Sequence, residues 1–176
     1  MARSFRDTKL RLKGWDYSNP GRYFITMVTH DRECIFGQIT GENMMLSDLG
    51  EIVKEEWVKS FQIRTELLCD AWVIMPNHIH AILRIERPDN DPQPVNKPLE
   101  NPGISYRPPR SIPSFVAGFK SAASKRVNAH RGTPGQKIWQ DRYHDHIIRN
   151  QTEFLKIKQY IKNNPARWDN DIFLTP

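Results

Sequence analysis

Residues 67–85, LLCDAWVIMPNHIHAILRI, form an almost wholly apolar run broken in its middle by Pro76 and Asn77. Proline presets the φ of a turn and asparagine bonds its own backbone, so the pair divides the run into two segments rather than continuing it. LLCDAWVIMP and HIHAILRIE are rich in β-branched and aromatic residues, which suits strands. Strands apolar on both faces belong at the centre of a sheet, so the chain is expected to build outward from this hairpin.

The remaining elements follow by periodicity. RYFITMVTH, residues 22–30, reads as a strand, and a hairpin-like link after it carries CIFGQI. From Ser47, the segment SDLGEIVKEEWVKSF sets Leu49, Val53, Trp57 and Phe61 at helical spacing with acids toward its front. SIPSFVAGFKSAASKRVNAH reads as a second helix and KIWQDRYHDHIIRN as a strand. NQTEFLKIKQYIKNNP is a third helix, with Asn150 as cap, Glu153 three residues later and Pro165 past the end. The order β, α, β, β, α, β, α predicts an α+β fold: a ferredoxin-like antiparallel sheet with helices on one face. A single domain, 1–176, is expected, with a basic N-terminal arm, 1–13, and a loop, 87–110, that holds seven of the thirteen prolines.

With 176 residues and 38% apolar content the chain can bury one core. It holds no apolar run of the ~18 residues a membrane span needs, and MARSFRDTKLRLK is no secretion signal, so a soluble cytoplasmic protein is expected. Cys34 and Cys69 form no CxxC pair and are read as buried fillers. The formal charge of +6 is unevenly spread. Between Gly103 and Arg142 eight basic residues face one acid, Asp141, and the N-terminal arm sets Arg3, Arg6, Lys9, Arg11 and Lys13 against Asp7. Two such segments suggest a polyanion such as nucleic acid.

On a strand, residues two apart share a face, so His78 and His80 project together while Ile79 and Ala81 point away. Two imidazoles among Ile74, Ile79, Ile82 and Leu83 are costly to bury unless their nitrogens are satisfied. They can hold one divalent cation with a third protein ligand, or bond to neighbouring polar groups.

At this point MPNHIHAILRI resembles the histidine–hydrophobic–histidine (HUH) motif of the small single-tyrosine transposases of bacterial insertion sequences. YFITMVTHDRECIFGQI, AWVIMPNHIHAI, SIPSFVAGFKSAASKRVN and IWQDRYHDHIIRNQTEFLKIKQYIKNNPARW resemble, in order, successive blocks of the REP-associated branch of that family. The resemblance implies an enzyme that cleaves and rejoins single-stranded DNA at hairpin-forming palindromes. It implies a divalent cation, Mg²⁺ or Mn²⁺, on His78 and His80, and a nucleophile at Tyr160 that forms a 5′-phosphotyrosine link. Asn164, one turn later, matches the third metal ligand, where a glutamine is more usual. Phe154, Ile157 and Ile161 share one stripe of that helix, with Tyr160 and Asn164 stacked at its edge and Lys156 one turn before on the same flank.

A second same-face pair, His144 and His146 beside Tyr143, satisfies the spacing alone, but its polar flanks rank it lower as a metal site. For DNA contact the candidates are Arg107, Arg110, Lys120, Lys125, Arg126 and Lys137 for phosphates, Trp139 and Tyr143 for bases, and His146 near the site. His30 and His130 are expected at the surface. Besides the strand transferase, two other functions fit: a non-catalytic hairpin-DNA-binding protein of the same descent, and a metal-dependent phosphoester hydrolase. The short tail after Trp168 favours a monomer over a homodimer.

Overall fold

The computed structural model describes residues 15–86, 108–170 and 173; the arm 1–13 and most of the proline-rich loop lie outside the described residues. Among the described residues, six strands and three α-helices follow in the order β1 (Gly21–Val28), β2 (Gly37–Thr40), β3 (Asn43–Leu46), α1 (Asp48–Ile63), β4 (Leu67–Met75), β5 (His78–Ile85), α2 (Ile112–Arg131), β6 (His144–Ile148) and α3 (Gln151–Asn163). The main sheet runs β4-β5-β1-β6, antiparallel throughout, so β5 and β1 are central; β4, expected at the centre from its apolar run, lies instead at the sheet edge, its two faces covered by helices rather than its two sides by strands. This is the expected α+β architecture. The CIFGQI link opens into a separate hairpin, β2 with β3, too short and too polar on one side to join the main sheet.

Each helix begins where its sequence can cap it. Ser47, Ser111 and Asn150 accept hydrogen bonds from the backbone N–H of Gly50, Ser114 and Glu153, satisfying donors that the first turn leaves open. Glu153 reaches back to the backbone N–H of Arg149, so the α3 terminus is closed from both sides. α2 ends at Gly132, whose left-handed φ of 67° suits a residue without Cβ.

α1 and α2 cover one face of the sheet, whereas α3 lies against the other, which corrects the expectation of helices on one face only. Strand parity explains this. Tyr23, Ile25 and Met27 of β1 and Ile79, Ala81 and Leu83 of β5 join Val53, Trp57, Phe115 and Phe119 in the larger core. Phe24 and Ile82 point the opposite way, and the short stripe Phe154, Ile157, Ile161 of α3 closes over them. A bulge between Cys69 and Ala71 lets β4 follow both faces: Cys69 precedes it on the first face, and Trp72 and Ile74 regain that face after it. The displaced Asp70 accepts from Arg22 Nε at 3.0 Å and Arg84 Nε at 3.1 Å.

Two further expectations need correction. Cys34 is exposed and Cys69 half-buried, both as free thiols; Cys34 sits in the irregular link before β2, where its side chain meets no core. The last strand is short, since Lys137–Arg142 loops along the sheet edge and only Trp139 bridges to Thr29 before β6 begins.

Candidate active site

β5 and β1 carry the site on the α3 face. His78 and His80 are both buried, with ring centroids 4.4 Å apart. Their registers place them opposite Val28 and Thr26 of β1. Thr26 Oγ1 hydrogen-bonds His80 Nδ1 at 2.7 Å, and Tyr160 Oη lies 3.1 Å from His80 Nε2 on the other side of the ring. Asn77 Oδ1 hydrogen-bonds His78 Nδ1 at 2.8 Å. Phe24 flanks the group, 5.3 Å from the His80 ring and 6.2 Å, edge-on, from Tyr160. The Phe173 ring covers His78 at 4.9 Å. Asn164, the C-cap of α3, is buried one turn beyond Tyr160. His78, His80, Tyr160 and Asn164 are therefore brought together by one strand and one helix end.

Burial governs the ionisation of the pair. It pushes His78 down to about 3, with Asn164, as acceptor for the charged ring, acting in the opposite direction. It holds His80 well below its ordinary value, and repulsion from His78 and His144 adds to the effect. Both rings are neutral at physiological pH, and a neutral imidazole keeps one nitrogen lone pair for a cation or a donor. Among the described residues no three His, Cys, Asp or Glu side chains gather in metal-binding geometry. A cation on this pair would take its third protein donor from the Asn164 amide. Two neutral imidazoles and an amide oxygen form a mixed nitrogen and oxygen set that suits a divalent first-row ion. The donors present fit the metal.

The rival pair separates. His146 is bound to Glu153 Oε1 at 2.7 Å on the exposed edge, while His144, opposite Thr26, approaches the Phe173 ring at 6.0 Å. His30 and His130 reach the surface beside Asp31 and Asp48. Lys156 is exposed.

The candidate DNA residues divide into several kinds. Arg107 lies outside the described residues, and Arg110 and Lys125 are exposed. Lys120, Lys137, Trp139 and Tyr143 line one cleft of about 590 Å³ between α2 and the segment leading into β6. Within it, Trp139 is buried against Phe36 and Phe119, which takes its ring out of reach of a stacking base. The Lys120 ammonium donates to the carbonyls of Gln140 and Arg142, and burial pushes it down to about 8. Arg126 is clamped by Glu55 and Glu56 at 2.6 and 2.9 Å.

Sequence reasoning missed Thr26, Asn77 and Phe173 at the site. Thr26 is one β-branched residue in a strand of such residues, and its pairing with His80 across β1 and β5 spans 54 positions. Asn77 was visible only as a turn former. Also missed was a second cleft of about 520 Å³ at the far end of α3, where Arg22, Arg84 and Arg149 converge.

Comparison with known proteins fits this geometry. The model of the IS200-like transposase family matches residues 103–164, the stretch from the end of the proline-rich loop through α3. An uncharacterized protein of Haemophilus influenzae is 35% identical over 92% of this chain and 89% of its own length. A second H. influenzae protein, named as a REP-associated tyrosine transposase, is 23% identical over 86% of this chain and 74% of its own length. In fold, the chain is similar to a REP-associated tyrosine transposase solved bound to a REP hairpin, with a TM-score of 0.58, 19% identity, and coverage of 90% of this chain and 74% of that one.

Proposed function

We propose that the chain is an IS200-like transposase of the REP-associated tyrosine branch, which cleaves single-stranded DNA beside hairpin-forming palindromes and transfers the cut strand. The observation that carries this reading is the 3.1 Å contact between Tyr160 Oη and His80 Nε2, which sets a hydroxyl nucleophile against the histidine pair. The reading takes Tyr160 and the pair from one chain, a site formed in cis within a monomer.

Tyr160 Oη attacks the scissile phosphorus as its hydroxyl proton leaves. An Oη–P bond forms, the P–O3′ bond breaks, and the departing 3′ oxygen takes up a proton to become a free 3′-hydroxyl. Attack on the resulting 5′-phosphotyrosine by the 3′-hydroxyl of another end reverses these bond changes and completes strand transfer. A phenol with a pKa near 10 needs help at neutral pH. Mg²⁺ or Mn²⁺ held by His78, His80 and Asn164 would supply Lewis-acid polarisation of the phosphate. The α3 stripe of Phe154, Ile157 and Ile161 fixes the helix, and Phe24 limits the swing of the Tyr160 ring. Exposed cations, Arg110 and Lys125 among them, would meet the phosphates of the hairpin, with Lys137 and Tyr143 at the mouth of the larger cleft and His146 at the sheet edge.

The test uses labelled single-stranded oligonucleotides that carry the palindromes flanking the gene, incubated with Mn²⁺ or Mg²⁺. A denaturation-resistant adduct is expected, lost with EDTA and with Tyr160→Phe but kept with Tyr143→Phe. Tight, salt-sensitive hairpin binding without any adduct would favour instead a non-catalytic binding protein.

A further inference from the structure

Asn77 carries more of the site than its place in a turn requires. Its side chain is fully buried and makes three hydrogen bonds. The amide nitrogen donates to the carbonyl of Arg32 at 3.0 Å and to the carbonyl of Phe173 at 2.6 Å. Both partners are acceptors only, so the amide cannot be turned round: the nitrogen must face them and Oδ1 must face His78. Oδ1 cannot donate. The 2.8 Å contact with His78 Nδ1 therefore requires that Nδ1 carry the ring proton. In a neutral imidazole with Nδ1 protonated, Nε2 holds the lone pair.

We propose that Asn77 is a positioning residue that locks His78 in its Nδ1–H tautomer, so that Nε2 is presented as a lone-pair donor before any cation arrives. The backbone makes the lock rigid. The carbonyl of Asn77 accepts from Thr29 N–H at 2.8 Å and from Thr29 Oγ1 at 3.0 Å, which ties the β4–β5 turn to the end of β1. The side chain joins that turn to Arg32 and Phe173, so three separated segments fix one amide plane. His80 differs in kind: its Nδ1 partner is the Thr26 hydroxyl, which can donate or accept, so that contact alone leaves the His80 tautomer open. The direction is forced at His78 only.

The lock deepens the metal reading of the same pair but is tested apart from it. Long-range proton–nitrogen correlation spectra of the uniformly ¹⁵N-labelled, metal-free full chain read which nitrogen of His78 is protonated, with no DNA or turnover involved. The wild type is expected to show Nδ1–H. Asn77→Ala removes the acceptor and is expected to shift His78 toward Nε2–H, with Mn²⁺ affinity by calorimetry falling roughly 10–100-fold. Asn77→Asp keeps an acceptor and loses the two donors; it is expected to retain the Nδ1–H form, a result that general loosening of the turn would not produce. An Nε2–H tautomer in the wild type, or an unchanged tautomer in Asn77→Ala, overturns the proposal. Should Asn77→Ala not fold, the wild-type and Asn77→Asp spectra decide it. Absence of a DNA adduct, with the tautomer as expected, would sink the transferase reading and leave the lock standing.

Discussion

On the sheet face covered by α1 and α2, Trp57 is ringed by Phe61, Trp72, Phe115 and Phe119 at centroid distances of 5.1–5.8 Å. On the face covered by α3, the same strands bury two histidines and a threonine, and the turn between β4 and β5 an asparagine, beside a cluster of far fewer apolar side chains. Side chains alternate along a strand, so β5 sends Ile79, Ala81 and Leu83 one way and His78, His80 and Ile82 the other. One face can therefore carry nearly all the packing energy while the other is loaded with polar groups whose burial is unfavourable. Stability and chemistry should separate by face.

The sharpest way to break that separation is a pair of substitutions. Trp57→Ala is expected to cost about 3–5 kcal/mol in unfolding free energy, because the ring is fully buried in an aromatic cage that cannot close over the space. Tyr160→Phe removes one hydroxyl from a half-buried ring and its contact with His80 Nε2, so it should cost no more than about 1–3 kcal/mol, less than Trp57→Ala, while abolishing the DNA adduct. A large stability loss in Tyr160→Phe would mean that the α3 face is structural after all.

Acid should act through the polar face. The folded pKa values of His78 and His80 are depressed below those of the unfolded chain, so on acidification the unfolded chain binds protons first. The stability associated with these rings is complete above about pH 6.5 and lost as pH falls toward the folded values, at up to about 1.4 kcal/mol per pH unit per ring. Urea midpoints measured from pH 7 to pH 5 should fall more steeply for the wild type than for a His78→Gln, His80→Gln double variant. Parallel slopes would show that the acid response arises elsewhere.

Thr26→Val is a smaller change of the same kind. Valine fits the strand and the volume, but it leaves His80 Nδ1 buried without the Thr26 hydroxyl, an expected cost of about 1–3 kcal/mol. Affinity for Mn²⁺, measured by calorimetry, should drop as well. A variant with unchanged stability and unchanged metal affinity would remove Thr26 from the site.

How far the sequence exposes these two faces follows from the range of each signal. The cap at Asn150, the periods of α1 and α3 and the turn at Pro76–Asn77 are local, and the three helices and the β4–β5 hairpin were legible from such signals, though not the place of β4 at the sheet edge. The His78, His80, Tyr160 and Asn164 grouping was legible through the family resemblance; spacing alone fitted His144 and His146 as well. The bulge after Cys69, the side of the sheet that α3 covers and the Thr26–His80 bond were not legible, because each depends on which distant strand lies alongside. Charge misled most where it was paired. A run of cations in α2 reads as a nucleic-acid contact until the acids of α1, seventy residues earlier, are seen to face it.

Arg126 tests that last point with the smallest expected effect. It lies on the helix layer, opposite the α3 face, and its guanidinium is bound to Glu55 and to the buried Glu56. A cation already neutralised by two carboxylates offers little field to a phosphate, and exposed ion pairs contribute up to about 1 kcal/mol to stability. Arg126→Ala should therefore lower stability slightly and leave hairpin-DNA affinity unchanged. The more telling quantity is the slope of log affinity against log salt, since loss of a true phosphate contact would reduce it by about one. An unchanged slope leaves Arg126 as a bond between α1 and α2; a slope reduced by one would make it a phosphate contact in spite of its two carboxylates.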